Sequence, residues 1–188
     1  MPFLNQKKTF LAKQDKSKKG SLDERIIPLI TLINSKERYY TTSSCSGRVY
    51  FWKGSGKKNE TEWLNVSHDI ISPHFLDLYS FDSHSLERVL WLRLEGFILH
   101  VACKDLNAAE ELLEVARGIY KKSCLLSTTN KIIVEIRGGE IIEMPFVVEG
   151  EKVYSGSTEW LVQHINEKFR KIFQGIEKFE RDVKRRLK

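Results

Sequence analysis

Bulky and polar residues alternate in several short blocks of this chain and recur at helical spacing in others, and the two periods divide it into elements. Residues 48–52 and 62–67 are aromatic and β-branched runs on either side of KGSGKKNET, whose glycines and polar side chains suit a long hairpin loop, so two antiparallel strands are expected there. VLWLRL and FILHVAC read as two more strands. NKIIVEIRGGEIIEMPFVV predicts a further pair joined through Gly138 and Gly139, which tolerate the positive φ of a tight hairpin turn. Near the N-terminus the spacing lengthens: Leu22, Ile26, Leu29, Ile30 and Ile33 make one apolar helix face, and Ser21 stands three residues before Glu24, as a reciprocal cap requires. Pro28 has no amide proton, so that helix either kinks there or begins in earnest there. In DLNAAEELLEVARGIYKK, Asp105 is placed to cap a helix whose Leu106, Ala109, Leu112, Leu113, Ala116 and Tyr120 face one way and whose glutamates face the other. A last helix, about 157–188, carries Leu161, Ile165, Phe169, Ile172, Ile176, Phe179 and Val183 in register and ends in a very basic tail. Strands and helices mix without regular βαβ alternation. That predicts an α+β fold, a single domain over 1–188 with a mixed, largely antiparallel sheet packed by helices.

Composition and charge narrow the class. At 188 residues and 41% hydrophobic, the chain can bury one substantial core. A formal charge of +6 favours polyanionic partners, because clustered cations release counterions from phosphates. No signal-like segment or run long enough to span a membrane is read, so a cytoplasmic, soluble protein is expected. Three widely spaced cysteines without a CxxC pair, and five histidines without HxH or HExxH spacing, give no support for a disulfide framework or a metal. GSGK has the wrong glycine spacing for a phosphate loop, and no helix opens after its lysine.

The stretch TTSSCSGRVYFW, residues 41–52, has two readings. One is a hydroxyl-rich turn before a strand, with Gly47 supplying a special φ. The other is an anion-binding nest in which Ser43, Ser44 and Ser46 donate, Gly47 bares its amide and Arg48 presents a planar fork to a carboxylate or phosphate. Cys45 is read as a packing residue; a cysteine-dependent small-molecule enzyme, in which Cys45 would be a reactive thiolate, is the competing idea. Tyr50, Trp52 and Trp63 on the hairpin suit stacking on a splayed-out base, or ordinary core packing. His100, between apolar neighbours, reads by itself as a hydrogen-bonded core histidine, and His68 beside Asp69 as a strand-end imidazole. Asp15 and Lys19 in DKSKKG fall in a charge run, and Lys184, Arg185 and Arg186 belong to a tail with more cations than its acidic neighbours neutralise.

DKSKKGSLDERIIPLI, YYTTSSCSGRVYFW, FILHVACKDLNAAEELLEVARG and KIIVEIRGGEIIEMPF, in this order and spacing, resemble the tRNA wybutosine-synthesizing protein 3 family from Asp15 to Phe146. The resemblance implies an S-adenosylmethionine-dependent methyltransferase acting on the N-4 nitrogen of the tricyclic wybutosine precursor, the modified guanosine 3′ of the anticodon in phenylalanine tRNA. It also implies a fold other than the Rossmann methyltransferase fold, in keeping with the lack of GxGxxG after a strand. On this resemblance His100, His68 and Asp15 are the candidate catalytic residues. Ser43, Ser44, Ser46, Gly47, Arg48 and Arg137 are the candidates for holding S-adenosylmethionine. Lys19, Tyr50, Trp52, Trp63, Lys184, Arg185 and Arg186 are the candidates for contacting the tRNA. Arg137 and Glu143 flank RGGE and, on residue chemistry alone, make a cross-strand pair. A non-catalytic RNA-binding protein, with RNA affinity and no cofactor affinity, is the alternative from another class.

Overall fold

The computed structural model describes residues 2–12, 22–54, 60–77 and 89–187. Their alternating segments pair into two sheets, each antiparallel throughout, and with the helices they give the expected α+β class. The chain divides into two compact units, one from residues 1–46, 97–139 and 172–188, the other from 47–96 and 140–171.

In the first unit, β1 (Tyr39–Cys45), β5 (Ile98–Cys103), β7 (Ile132–Arg137) and β6 (Cys124–Ser127) lie in the order β1-β5-β7-β6. Because successive strand residues point to opposite sides, this sheet has two unlike faces. Tyr39, Leu99, Val101, Cys103, Val134 and Ile136 are buried on one, where α3 (Leu106–Arg117) packs and the Tyr39 hydroxyl donates to the Ala108 carbonyl at 3.1 Å. Tyr40 lies on the other, its ring 5.3 Å from Phe3 and 5.4 Å from Phe10 of α1 (Phe3–Leu11). Asp105 caps α3 as expected, accepting from the Ala108 amide at 2.8 Å. Leu106, expected on its apolar face, is instead exposed.

A 3₁₀ turn at Glu24–Ile26 leads into α2 (Ile27–Ser35), with Pro28 in the first turn, where its missing amide proton costs no helical bond. Ile26, Leu29, Ile30 and Ile33 are buried and Leu22 is exposed; Ser21 lies outside the described residues. Residues 172–186 of α4 (Thr158–Arg186) complete this unit. Ile172, Ile176, Phe179 and Val183 are buried, Phe179 sets its edge against Tyr120, and Arg186 pairs with Glu114.

In the second unit, β2 (Arg48–Gly54), β3 (Thr61–Ser67), β4 (Leu90–Glu95), β8 (Ile141–Val148) and β9 (Glu151–Lys152) are ordered β3-β2-β4-β8-β9. The β2–β3 hairpin is the one read from the sequence. Gly54 closes its first strand at φ +125°, where a Cβ would lie 2.0 Å from the Glu60 carbonyl oxygen, so no other residue fits without moving the backbone. Phe51 packs between Phe75 and Phe146, and residues 158–171 of α4 bury Leu161, Ile165 and Phe169.

Two sequence expectations are corrected. TTSSC is not a turn: residues 41–45 are the body of β1, because their backbone pairs antiparallel with β5. Nor do the strands flanking Gly138 and Gly139 form a hairpin. β7 belongs to the first sheet and β8 to the second, and neither glycine has a positive φ. Gly138 is required for close approach instead, since its amide donates to the Phe97 carbonyl at 2.8 Å and a Cβ would sit 3.2 Å from the Phe97 nitrogen. Arg137 and Glu143 are therefore not a cross-strand pair; Glu143 takes Arg93 of β4 as its partner at 3.0 Å.

Candidate active site

The register of the first sheet sets Ser43 opposite His100, His100 opposite Glu135, and Glu135 opposite Cys124, one row across all four strands. The row lies on the same face as Tyr40, since residues two apart on a strand share a side. Ser43 Oγ is 2.9 Å from His100 Nδ1, and Glu135 Oε2 is 2.9 Å from His100 Nε2. An ionised carboxylate only accepts, so in the neutral ring Nε2 carries the imidazole proton and Nδ1 accepts from the Ser43 hydroxyl. Burial falls outward along the chain of contacts: the Glu135 side chain is 17% exposed, that of His100 25%, and Ser43 is open to solvent. Cys45, Ile98 and Arg137 form the next row on this face, with Arg137 exposed. Ser44 points to the opposite face, across from Leu99. Ser46 is buried and both its amide and its hydroxyl donate to Asp23 Oδ2 at 2.9 Å, so its donors already serve a carboxylate of this unit.

The second unit opens with Gly47, at φ +101°, and Arg48. Arg48 Nε and Nη2 both donate to Glu95 Oε2, at 2.9 and 2.7 Å, and its guanidinium lies 4.0 Å above the Trp63 ring. Trp63 is 40% exposed and rests against Tyr50 at 5.4 Å. Tyr50 itself is buried; burial first, then the Glu95 charge, pushes its phenol up to about 12. Trp52 stacks on Trp91 at 5.6 Å and 13°. His68 directly follows β3 and is half-buried. At the end of α4, Lys184, Arg185 and Arg186 are exposed, with Arg185 paired to Asp182 at 2.9 Å and Arg186 to Glu114. Asp15 and Lys19 lie outside the described residues.

The family profile described as Methyltransferase TYW3 matches residues 4–185. The chain belongs to the TYW3 methyltransferase family. A Xenopus laevis relative, a tRNA wybutosine-synthesizing protein 3 homolog, is 34% identical over 94% of this chain and 72% of its own length. In Methanocaldococcus jannaschii, a protein named tRNA(Phe) 7-((3-amino-3-carboxypropyl)-4-demethylwyosine(37)-N(4))-methyltransferase is 32% identical, with 91% of each chain covered. The solved structure of the PH1069 protein from Pyrococcus horikoshii superposes with a TM-score of 0.82 at 32% identity, over 97% of this chain and 98% of that one.

Within this TYW3-family chain, sequence reasoning missed Glu135 and Trp91. Both carried a signal. The alternation in KIIVEIR puts Glu135 and Arg137 on the side opposite the buried Val134 and Ile136, and that in LWLRLE puts Trp91, Arg93 and Glu95 together. Their partners depend on strand register, however, which joins residues 35 positions apart in the case of His100 and Glu135.

Proposed function

We propose that this chain transfers a methyl group from S-adenosylmethionine to the N4 nitrogen of the tricyclic wybutosine precursor base next to the anticodon of phenylalanine tRNA, at the sheet face that carries His100. The observation that carries the reaction is the family match over residues 4–185, supported by the archaeal relatives named for this activity. S-adenosylmethionine supplies a methyl on a sulfonium, a leaving group good enough that the transfer needs no covalent enzyme intermediate.

The protein's contribution is then positioning and proton management. Arg137, exposed on the His100 face and free of any β8 partner on Glu143, is the cation suited to the methionyl carboxylate. That choice fits the donor set better than Arg48, whose guanidinium Glu95 already neutralises. Ser43 and His100 face the same side as Arg137 and serve the acceptor nitrogen; Ser46, bound to Asp23, holds the end of β1 in place. For the RNA, Trp63 under Arg48 and Trp52 stacked on Trp91 are aromatic surfaces on which bases stack, a contact worth about 1–3 kcal/mol per base. Buried Tyr50 packs against Trp63 at a tilt. Lys184 and Arg185 are the tail's phosphate contacts.

The test is transfer of labelled methyl from S-adenosylmethionine to phenylalanine tRNA carrying the N4-unmethylated base. Label is expected in that tRNA and in no tRNA lacking the tricyclic base. His100→Ala is expected to lower kcat by about 10²–10⁴-fold, and Arg137→Ala to weaken S-adenosylmethionine binding by calorimetry. Absence of transfer by the parent protein would refute the activity; parental rates in both variants would place the site elsewhere.

A further inference from the structure

We infer that Glu135 is a positioning residue that, acting through His100, makes Ser43 the group that receives the proton released on methylation. The inference rests on the proposed N-methylation and goes beyond it in naming the proton's path. Ser43 Oγ, His100 and Glu135 Oε2 form an unbranched chain with 2.9 Å links, and it runs from an exposed hydroxyl to the least exposed of the three side chains. The direction of every link follows from chemistry. Glu135 accepts from Nε2–H, so Nδ1 is bare, and the Ser43 hydroxyl must donate to it, which turns the serine oxygen's lone pairs outward toward a bound substrate. A neutral residue at position 135 would leave the tautomer undetermined, and an Nδ1–H tautomer would present a donor to Ser43 and close the path.

The atoms balance. The acceptor nitrogen's lone pair forms the N–C bond, and the methyl carbon's bond to sulfur breaks with its electron pair left on sulfur. The nitrogen, now positively charged, gives its proton to Ser43 Oγ as the Ser43 proton moves to His100 Nδ1. The resulting imidazolium donates from both nitrogens and is held by the Glu135 carboxylate until it loses the proton to solvent. Among the described residues of this unit, other titratable or charged groups on or beside this face include Arg137 and Lys131 on or beside β7, Tyr40 and Cys45 on β1, Cys124 on β6, and Asp23, which binds Ser46 and lies within 4.8 Å of Cys45. Lys7 of α1 is turned to the Lys36 carbonyl instead. Among the described residues Glu135 is thus the carboxylate that hydrogen-bonds the imidazole, and the His100 ring nitrogens take Ser43 and Glu135 as partners, not an arginine or lysine of the face.

Two readouts test the proposal separately from the activity itself. In the unliganded protein, nitrogen-15 NMR of neutral His100 is expected to show Nε2 protonated and Nδ1 bare; in Glu135→Ala the two tautomers are expected to mix. In methyl transfer by the full chain, Glu135→Gln is expected to lower kcat about 10²-fold with the KM for tRNA unchanged. The rising limb of its kcat–pH profile is expected at lower pH, because an imidazolium without the carboxylate charge is harder to form. Ser43→Ala is expected to lower kcat while leaving the tautomer as in the parent. A tautomer mixture in the parent, or parental kcat and pH profile in Glu135→Gln, would overturn the proposal; an inactive parent would instead remove the methylation reading and leave the NMR result standing.

Discussion

Asp105 serves two partners with one carboxylate: it accepts from the Ala108 amide at the start of α3 and, at 3.1 Å, from Arg38. The backbone hydrogen bond from Ala108, then the Arg38 guanidinium, hold its carboxyl below the usual range. Asp105→Ala is therefore expected to lower the unfolding free energy by about 1 kcal/mol at neutral pH, the usual worth of an N-cap, read from the urea midpoint. Since the folded value lies below the unfolded one of about 3.9, this contribution is present above pH ~3.9 and disappears as pH falls through the folded value. The gap between parent and variant should accordingly close in acid. The cap was legible because Asp before an apolar-periodic run is a local signal. Glu135 and Arg137 are the contrast: their exposure pattern is in the sequence, but their partners are assigned by strands far away along the chain.

Helix α4 shows the same division at the scale of an element. Its apolar stripe could be read from Leu161 to Val183, and all seven residues of that stripe are buried. What it holds could not be read. In the second unit the Asn166 side chain accepts from the Ile71 amide and donates to the Ile71 carbonyl, both at 2.8 Å and both buried. The two backbone groups of a loop residue are thus satisfied by a helix side chain 95 residues away. Asn166→Ala strands both backbone groups, and is expected to cost about 1–3 kcal/mol of stability, measured by urea unfolding, with early loss of amide protection around residue 71. Polar Asn166 within a helix carries no sequence signal that separates this clamp from a solvated position.

For the molecule as a whole, the net charge of +6 bears on the tRNA partner, and the structure refines which cations are available. Arg186 is engaged by Glu114 of α3, so reversing it would also break a pair between helices, whereas Lys184 and Arg185 are exposed and Arg185 pairs only within its own helix, with Asp182. Replacing Lys184 and Arg185 by glutamate is expected to weaken tRNA binding and to flatten its log–log salt dependence by roughly 0.7–0.9 per lost phosphate contact. Calorimetric affinity for S-adenosylmethionine should be unchanged, and equal salt slopes in parent and variant would show the tail to be surface only. Along the chain, local chemistry determined the α+β class, the β2–β3 hairpin, the Asp105 cap and the buried stripe of α4, because each depends on neighbours a few residues away; of the two readings of Pro28, the structure has the one that places it in the first turn of α2. Tertiary structure alone decided that β7 and β8 join different sheets across Gly138, that TTSSC is a strand, and that Ser43, His100 and Glu135 stand in one row. Those outcomes depend on pairing and register between distant segments, and a shift of one residue in either strand would have turned the same side chains to the opposite face.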